Sequence, residues 1–249
     1  MIVERMRIIA TIEARMTSSR LPGKVLLPVL GHPMLQHLVE RLRAVPSLDE
    51  IILATTTNAT DDVLATFAEA QGIRVFRGSE DDVMARVIGA AESAGADIVV
   101  EITGDCPIID PDIVEQTIRM FLHHDADYVS NTHIRSYPDG MDTQVFRLET
   151  LKRSAAMTDD PLDHEHVTLY IRNHPDIFRK VHLVAPPSLW WPELGLTLDE
   201  GDDYRLLSKI IETLAPVNPL FGCHEVLALL KQQPEQLEIN QAVVRKGDA

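Results

Sequence analysis

The residues best suited to chemistry lie in one short run, Ala14-Arg15-Met16-Thr17-Ser18-Ser19-Arg20-Leu21-Pro22-Gly23-Lys24. It offers Arg15, Arg20 and Lys24 as cations, Thr17, Ser18 and Ser19 as hydroxyls, and backbone N–H groups freed by Gly23. Arginine forks donate paired hydrogen bonds and lysine adds a mobile point charge, so this inventory suits a polyphosphate. It suits an exposed basic loop with ordinary surface roles as well. The run is not a Walker A loop, because no glycine lies five residues before Gly23 and Val25 follows Lys24. Nor does it match the dinucleotide fingerprint Gly-x-Gly-x-x-Gly.

Two aspartates could complement these cations. Asp105 stands in Gly104-Asp105-Cys106-Pro107, and Asp199 ends Leu196-Thr197-Leu198-Asp199. Each follows an apolar stretch that reads as a strand, and Pro107 keeps the backbone before it extended, holding Asp105 at a rim. Brought to one pocket, two carboxylates can hold Mg²⁺ while water and phosphate oxygens complete an octahedron. Taken singly, each is equally a cap or turn residue; Asp199 and Asp202 stand near a helix start, where capping is ordinary. Cys106 has no identifiable base partner and reads as a small buried filler. His164 and His166 are two apart, so on a helix they face different ways and make a poor metal pair.

The elements that must position these groups follow a βαβ rhythm. Strands are expected at Arg7–Ile12, Glu50–Thr56, Ile73–Phe76 and Asp97–Ile102. Helices are expected after Pro33 and over Asp61–Gln71, Asp81–Ala94 and Pro111–Leu122, the last with Asp110 as N-cap. Beyond Asp127 the rhythm changes to a hairpin-like excursion built from Tyr128–Asn131, the Tyr137-Pro138-Asp139-Gly140 turn and Thr143–Phe146. Helices over Leu148–Ala156 and Pro161–Asn173, strands over Phe178–Val184 and Leu194–Leu198, and a helix over Asp202–Leu214 follow. The expected fold is α/β, a mostly parallel sheet flanked by helices. Residues 1–220 form the main domain, about 132–170 an inserted lobe, and 221–249 a tail with one short helix and a frayed polar end. In such a sheet, ligands bind outside the carboxyl ends of the strands, which is where the basic run and Asp105 fall.

Bulk properties narrow the classes. A formal net charge of −15 over 249 residues argues against general nucleic-acid or anionic-membrane binding. Between Ala14 and Val39, however, Arg15, Arg20 and Lys24 are the only charged residues, a cationic island in an acidic protein. Two cysteines are too few for a disulfide framework. Neither a signal peptide nor a run of ~18 apolar residues is visible, so the expected compartment is the cytoplasm.

Ala14–Lys24 resembles the N-terminal motif of the cytidylyltransferase superfamily that makes CMP-activated acidic sugars. It is similar to that of CMP-Kdo synthetases, and more so to the branch named after spore coat polysaccharide biosynthesis protein F. The resemblance continues through Ala54–Asn58, Val75–Val83, Ile102–Pro107, Tyr137–Asp142 and Glu165–Thr168, in order across roughly the first 210 residues. It implies a Rossmann-like, glycosyltransferase-A-like nucleotidyltransferase fold. It also implies that Asp105 and Asp199 coordinate Mg²⁺ and that Ala14, Arg15, Ser18, Ser19, Arg20 and Lys24 bind the nucleotide. Arg77, Ser79 and Arg86 would approach its sugar or base. For Arg86 an exposed helix face is an equal reading. Tyr137, Asp142 and His166 would belong to the sugar side, although His166 alone reads as a structural histidine. Thr103 replaces a glutamine that many relatives carry two residues before the aspartate, which leaves the base open. By the same analogy the lobe forms a homodimer.

The expected chemistry is in-line attack by a sugar oxygen on the α-phosphorus of CTP, with release of pyrophosphate. Arg15, Lys24 and Asp105 are the expected catalytic residues, and Mg²⁺ the cofactor. The alternatives are a sugar-1-phosphate nucleotidyltransferase using another nucleotide, a glycosyltransferase of similar architecture, or a non-catalytic nucleotide sensor. The glycosyltransferase would need an Asp-x-Asp motif, which Asp105-Cys106-Pro107 does not supply.

Overall fold

The computed structural model of this protein describes residues 5–245; the last four residues of the tail, expected to fray, lie outside that range. β1 (Ile8–Glu13) leads through the basic loop to two short strands, β2 (Pro28–Val29) and β3 (His32–Pro33), and then to α1 (Met34–Arg43). β4 (Glu50–Thr56), α2 (Asp62–Gln71), β5 (Arg74–Gly78), α3 (Val83–Ser93) and β6 (Ile98–Thr103) follow. α4 (Pro111–His123), β7 (Tyr128–Ser130), β8 (Gln144–Arg147) and α5 (Leu148–Ala155) come next. The chain ends with α6 (Pro161–Glu165), α7 (Leu169–Asn173), β9 (Lys180–His182), α8 (Gly201–Leu214) and α9 (Cys223–Gln232).

Seven strands form one sheet in the order β5-β4-β1-β6-β8-β7-β9. β8 alone is reversed, pairing antiparallel with both β6 and β7, so the carboxyl ends of the other six share one edge. β4 and β6 flank β1 on opposite sides, and the strand order reverses between them. Such a switch point opens a crevice at the carboxyl edge.

Period-two alternation explains why both sheet faces are apolar. Ile8, Ala10 and Ile12 of β1 pack with Leu35, Leu38 and Leu42 of α1 and with Val114 and Ile118 of α4. Ile9, on the other face, joins Val99 and the α3 residues Met84, Val87 and Ala90. A third core gathers Leu206, Leu207, Ile210 and Ile211 of α8 with Val226 and Leu230 of α9 and the buried Tyr137. Arg41 locks α1 to that third core: it donates to the carbonyls of Ile109 (3.2 Å) and Phe221 (2.6 Å). Its guanidinium lies 4.0 Å over the Phe221 ring.

Three expectations are refined. The helix expected over Pro161–Asn173 is broken into α6 and α7, because Val167 takes a left-handed φ of 49° between them. Leu194, Leu196 and Leu198 alternate inward as a strand would, yet the stretch makes only a single parallel bridge, Asp139 with Gly195. The tail is more ordered than expected, with the 3-10 turn Pro234–Ile239 following α9. Within residues 132–170, β8 belongs to the main sheet, while α6 packs against α3 beside the crevice. Among the described residues no helix is long and apolar enough to cross a membrane.

Candidate active site

The crevice at the switch point widens into a cavity of about 680 Å³. Its floor is made where β1 and β6 end side by side. The Gly104 N–H donates to the Glu13 carbonyl at 2.9 Å. A Cβ on Gly104 would lie 2.8 Å from that carbonyl oxygen and 2.9 Å from the Ala14 methyl, so glycine is required there. The basic loop then folds back on itself, with the Gly23 N–H donating to the Met16 carbonyl at 2.9 Å. Asp61, fully buried, anchors the loop by accepting the Met16 N–H at 2.8 Å. These bonds turn a sequence run into a fixed wall of the cavity.

Lys24 is the centre of that wall. Its ammonium donates to Asp105 Oδ2 at 3.1 Å and to Asp199 Oδ1 at 3.0 Å, although these residues are far apart in the chain. The two aspartates are drawn together because the Leu198 N–H donates to the Asp105 carbonyl at 2.8 Å. Arg20 adds a second cation, with Nη2 2.7 Å from Asp199 Oδ1. Thr103 donates to Asp105 Oδ1 at 2.6 Å and Thr197 to Asp199 Oδ2 at 3.1 Å. Burial alone would push the Lys24 ammonium toward neutrality; Asp105 and Asp199 outweigh it and hold its pKa above the usual value. Burial likewise opposes ionisation of Asp199, but Lys24 and Arg20 hold its pKa below the usual range. The pair of carboxylates is thus already organised around a positive charge. An oxygen-ligated divalent ion, which uses one or two carboxylates plus phosphate oxygens, fits that donor set.

Ala14, Arg15, Ser18, Ser19 and Arg20 line the cavity beside Lys24, Asp105 and Asp199, as do Arg86 and Thr103. Asp142 and His166 line the same cavity. Three expected residues are not in the lining. Arg77 stitches β5 to the loop after β4, donating to the carbonyls of Thr56 and Asn58, both at 2.8 Å, and pairing with Asp62 at 2.7 Å. Ser79 accepts the Asp82 N–H at 3.0 Å in the turn before α3. Tyr137 is 1% exposed in the third core. Cys106 is 1% exposed, and burial raises its thiol pKa well above the usual value, which suits a filler.

Other lining groups were not apparent from motif reading. Glu80 accepts from Thr17 Oγ1 at 2.7 Å and Asn58 Nδ2 at 2.5 Å, and lies 3.4 Å from Arg15. Glu13 and Glu101 meet on the face of the sheet covered by α3, with Arg86 nearby. Burial, and then the neighbouring Glu101 charge, raise the Glu13 pKa well above the usual value; Thr11 and Arg86 pull the other way. Glu101 in turn accepts a hydrogen bond from Gln144. The available signal was parity: Glu13 follows Ile9 and Thr11 on an inward face, where a charge is out of place. α6 adds Pro161 and Glu165 to the lining and is held by His164 Nδ1 2.9 Å from Asp82 Oδ1.

A family model described as cytidylyltransferase matches residues 9–197. The chain is 35% identical to spore coat polysaccharide biosynthesis protein SpsF of Bacillus subtilis (strain 168), over 92% of this chain and 95% of that protein. A cytidylyltransferase structure from Leptospira borgpetersenii serovar Hardjo-bovis superposes with a TM-score of 0.90 at 29% identity, covering 97% of this chain and 100% of that one. The fold is shared with a CMP:2-keto-3-deoxy-manno-octonic acid synthetase complexed with CTP, at a TM-score of 0.61 and 21% identity, over 83% of this chain and 98% of that one. With a matching family model from β1 to Thr197 and a relative similar over nearly its whole length, this chain belongs to the cytidylyltransferase family of enzymes.

Proposed function

We propose that this enzyme transfers CMP from CTP to an acidic sugar with release of pyrophosphate, using a divalent metal, for cell-surface polysaccharide synthesis. The observation that carries the reading is Lys24 bridging Asp105 and Asp199 at 3.1 and 3.0 Å inside a cavity lined by Arg15 and Arg20. In this reading Arg15, Arg20, Lys24 and the Ser18 and Ser19 hydroxyls hold the triphosphate. Asp105 and Asp199 would hold Mg²⁺, and the Lys24 ammonium, which bridges them, would serve a phosphate oxygen beside them. Magnesium there would neutralise the triphosphate and offset charge that develops at the transferring phosphorus. The protein's own contribution is orientation: a rigid wall that lines up the α-phosphorus with the attacking sugar oxygen. Ala14, Arg86 and Thr103 complete the nucleotide side, and Asp142 and His166 face the sugar. The relative bound to CTP and the polysaccharide role in the SpsF name support the substrate classes.

Arg77, Ser79 and Tyr137 take part only as support in this reading, since their polar groups or their burial serve the fold. A second reading has an observation in its favour. Glu13 and Glu101 line the cavity together and disfavour any anionic group beside them, which suits a sugar with a neutral ring whose one anion, a 1-phosphate, lies at the cationic loop instead. The enzyme would act in the cytoplasm, as a homodimer formed through residues 132–170. The test is pyrophosphate release with CTP, Mg²⁺ and a panel of acidic sugars and sugar 1-phosphates. Release that needs both Mg²⁺ and one acidic sugar is expected. Turnover only with a sugar 1-phosphate would replace the first reading by the second, and no turnover despite tight CTP binding would overturn both.

A further inference from the structure

The end of the described chain turns back onto the carboxylate side of the site. The Val244 carbonyl accepts from Arg20 Nη1 at 3.1 Å. Arg245, next to it, drives its guanidinium behind Asp199. Nη1 donates to Thr197 Oγ1 at 2.6 Å, and Nη2 to Asp203 Oδ1 at 2.7 Å. Nη1 also stands 3.7 Å from Asp199 Oδ2, and Nε 3.9 Å from Asp139 Oδ2. The seat of this guanidinium is Gly195, where an added Cβ would lie 1.7 Å from Nε. Only glycine leaves room for it.

Both side chains that accept hydrogen bonds from Arg245 act directly on Asp199. Asp203, fully buried, accepts the Asp199 N–H at 3.1 Å and the Glu200 N–H at 2.9 Å through its other oxygen. Thr197 donates to Asp199 Oδ2 at 3.1 Å. Two short relays therefore run from one guanidinium to the backbone and to the side chain of the same aspartate. They leave Asp199 Oδ1 directed at Lys24 and Arg20. Arg245 is not among the residues lining the cavity, so it reaches the chemistry through Asp199. A planar, always-charged fork is the side chain that can serve both relays at once.

We propose that Arg245 is a positioning residue that fixes Asp199, which makes the C-terminal tail a working part of the nucleotide site. The inference rests on the reading of Asp199 as a ligand of the nucleotide-bound metal. Groups that orient a metal ligand from behind change metal affinity by 10–100-fold when removed, about tenfold at least. The experiment measures CTP affinity by calorimetry with and without millimolar Mn²⁺, for the full chain and for Arg245→Ala, Arg245→Lys and Gly195→Ala. The factor by which Mn²⁺ tightens CTP binding is expected to fall about tenfold in Arg245→Ala. Gly195→Ala, which keeps the arginine but takes its seat, is expected to match it, and Arg245→Lys to recover part of the loss. A merely structural tail would weaken CTP binding equally with and without metal, and that result overturns the proposal. So does a metal factor in Arg245→Ala within about twofold of wild type, well short of the loss expected on removing such a group. If Arg245→Ala does not fold, Arg245→Lys decides: an unchanged metal factor counts against the tail and a reduced one for it. A wild-type protein that binds CTP no better with Mn²⁺ instead refutes the metal reading of Asp199 itself, and this inference with it.

Discussion

Lys24 stands between two carboxylates that would otherwise face each other across the cavity. Its neutral replacement, Lys24→Met, leaves Asp105 and Asp199 mutually repelling and removes a donor from the proposed triphosphate site. Loss of one preorganised donor of this kind costs ~10²–10³ in rate, so kcat/KM for the nucleotide is expected to fall by that range in steady-state assays. A fall below about tenfold would deny Lys24 a place at the phosphates. Glu13 supplies a pH prediction of definite sign. Its folded pKa is raised, first by burial and then by Glu101. The folded state therefore keeps a proton that the unfolded state releases, and stability falls as pH climbs from the ordinary carboxyl value toward the raised one. Glu13→Gln removes that cost. Its melting temperature is expected to exceed wild type at pH 8 by about 2–4 °C per kcal/mol relieved, with the gain shrinking toward pH 4.5. A gain that is instead largest at the acid end would refute the assignment.

At the scale of elements, the parallel core was legible because β1, β4 and β6 are buried on both faces and carry near-continuous Ile, Val, Leu and Ala. The basic loop was legible for a related reason: its groups are contiguous, and a strand end places them together. Asp105 and Asp199 could be named from strand-end position, but not their meeting, which depends on the Leu198 to Asp105 backbone bond across the fold. Arg77 shows the converse limit. Nothing in Val75–Gly78 tells whether a guanidinium at a strand end turns to a ligand or to the carbonyls of Thr56 and Asn58. The break between α6 and α7 was hidden because a β-branched valine is a poor candidate for positive φ. Close approach of β1 and β6 is testable at Gly104. Gly104→Ala inserts a methyl 2.8 Å from the Glu13 carbonyl. Overpacking of this sort costs about 1–3 kcal/mol, and urea unfolding should show it together with weaker nucleotide binding. Wild-type stability in that variant would mean the two strand ends are free to part.

The molecule as a whole carries a net charge of −15 and keeps its cationic loop at the one edge where six strands end. Its three cores are not equal in role: the sheet cores build the floor, and the third core, with the tail that Arg41 and Arg245 tie down, braces Asp199. Ligand binding to such a braced site stabilises the folded chain by mass action. CTP with Mg²⁺ at about 100 times its Kd is expected to add about 2.7 kcal/mol, seen as a rise in Tm, with GTP and ATP giving less. Equal rises with all nucleotides would remove the base preference. Light scattering at working concentration is expected to report a dimer, and a monomer with full turnover would remove residues 132–170 from that role. Which bond of the nucleotide breaks separates transfer of CMP from transfer of a phosphoryl group. CTP labelled at the α-phosphorus, incubated with enzyme, Mg²⁺ and the acidic sugar that supports turnover, is predicted to pass its label into a CMP–sugar while pyrophosphate leaves unlabelled. Label that stays in CDP or CTP, or a sugar product carrying the γ-phosphate instead, would mean that CMP is not the group transferred.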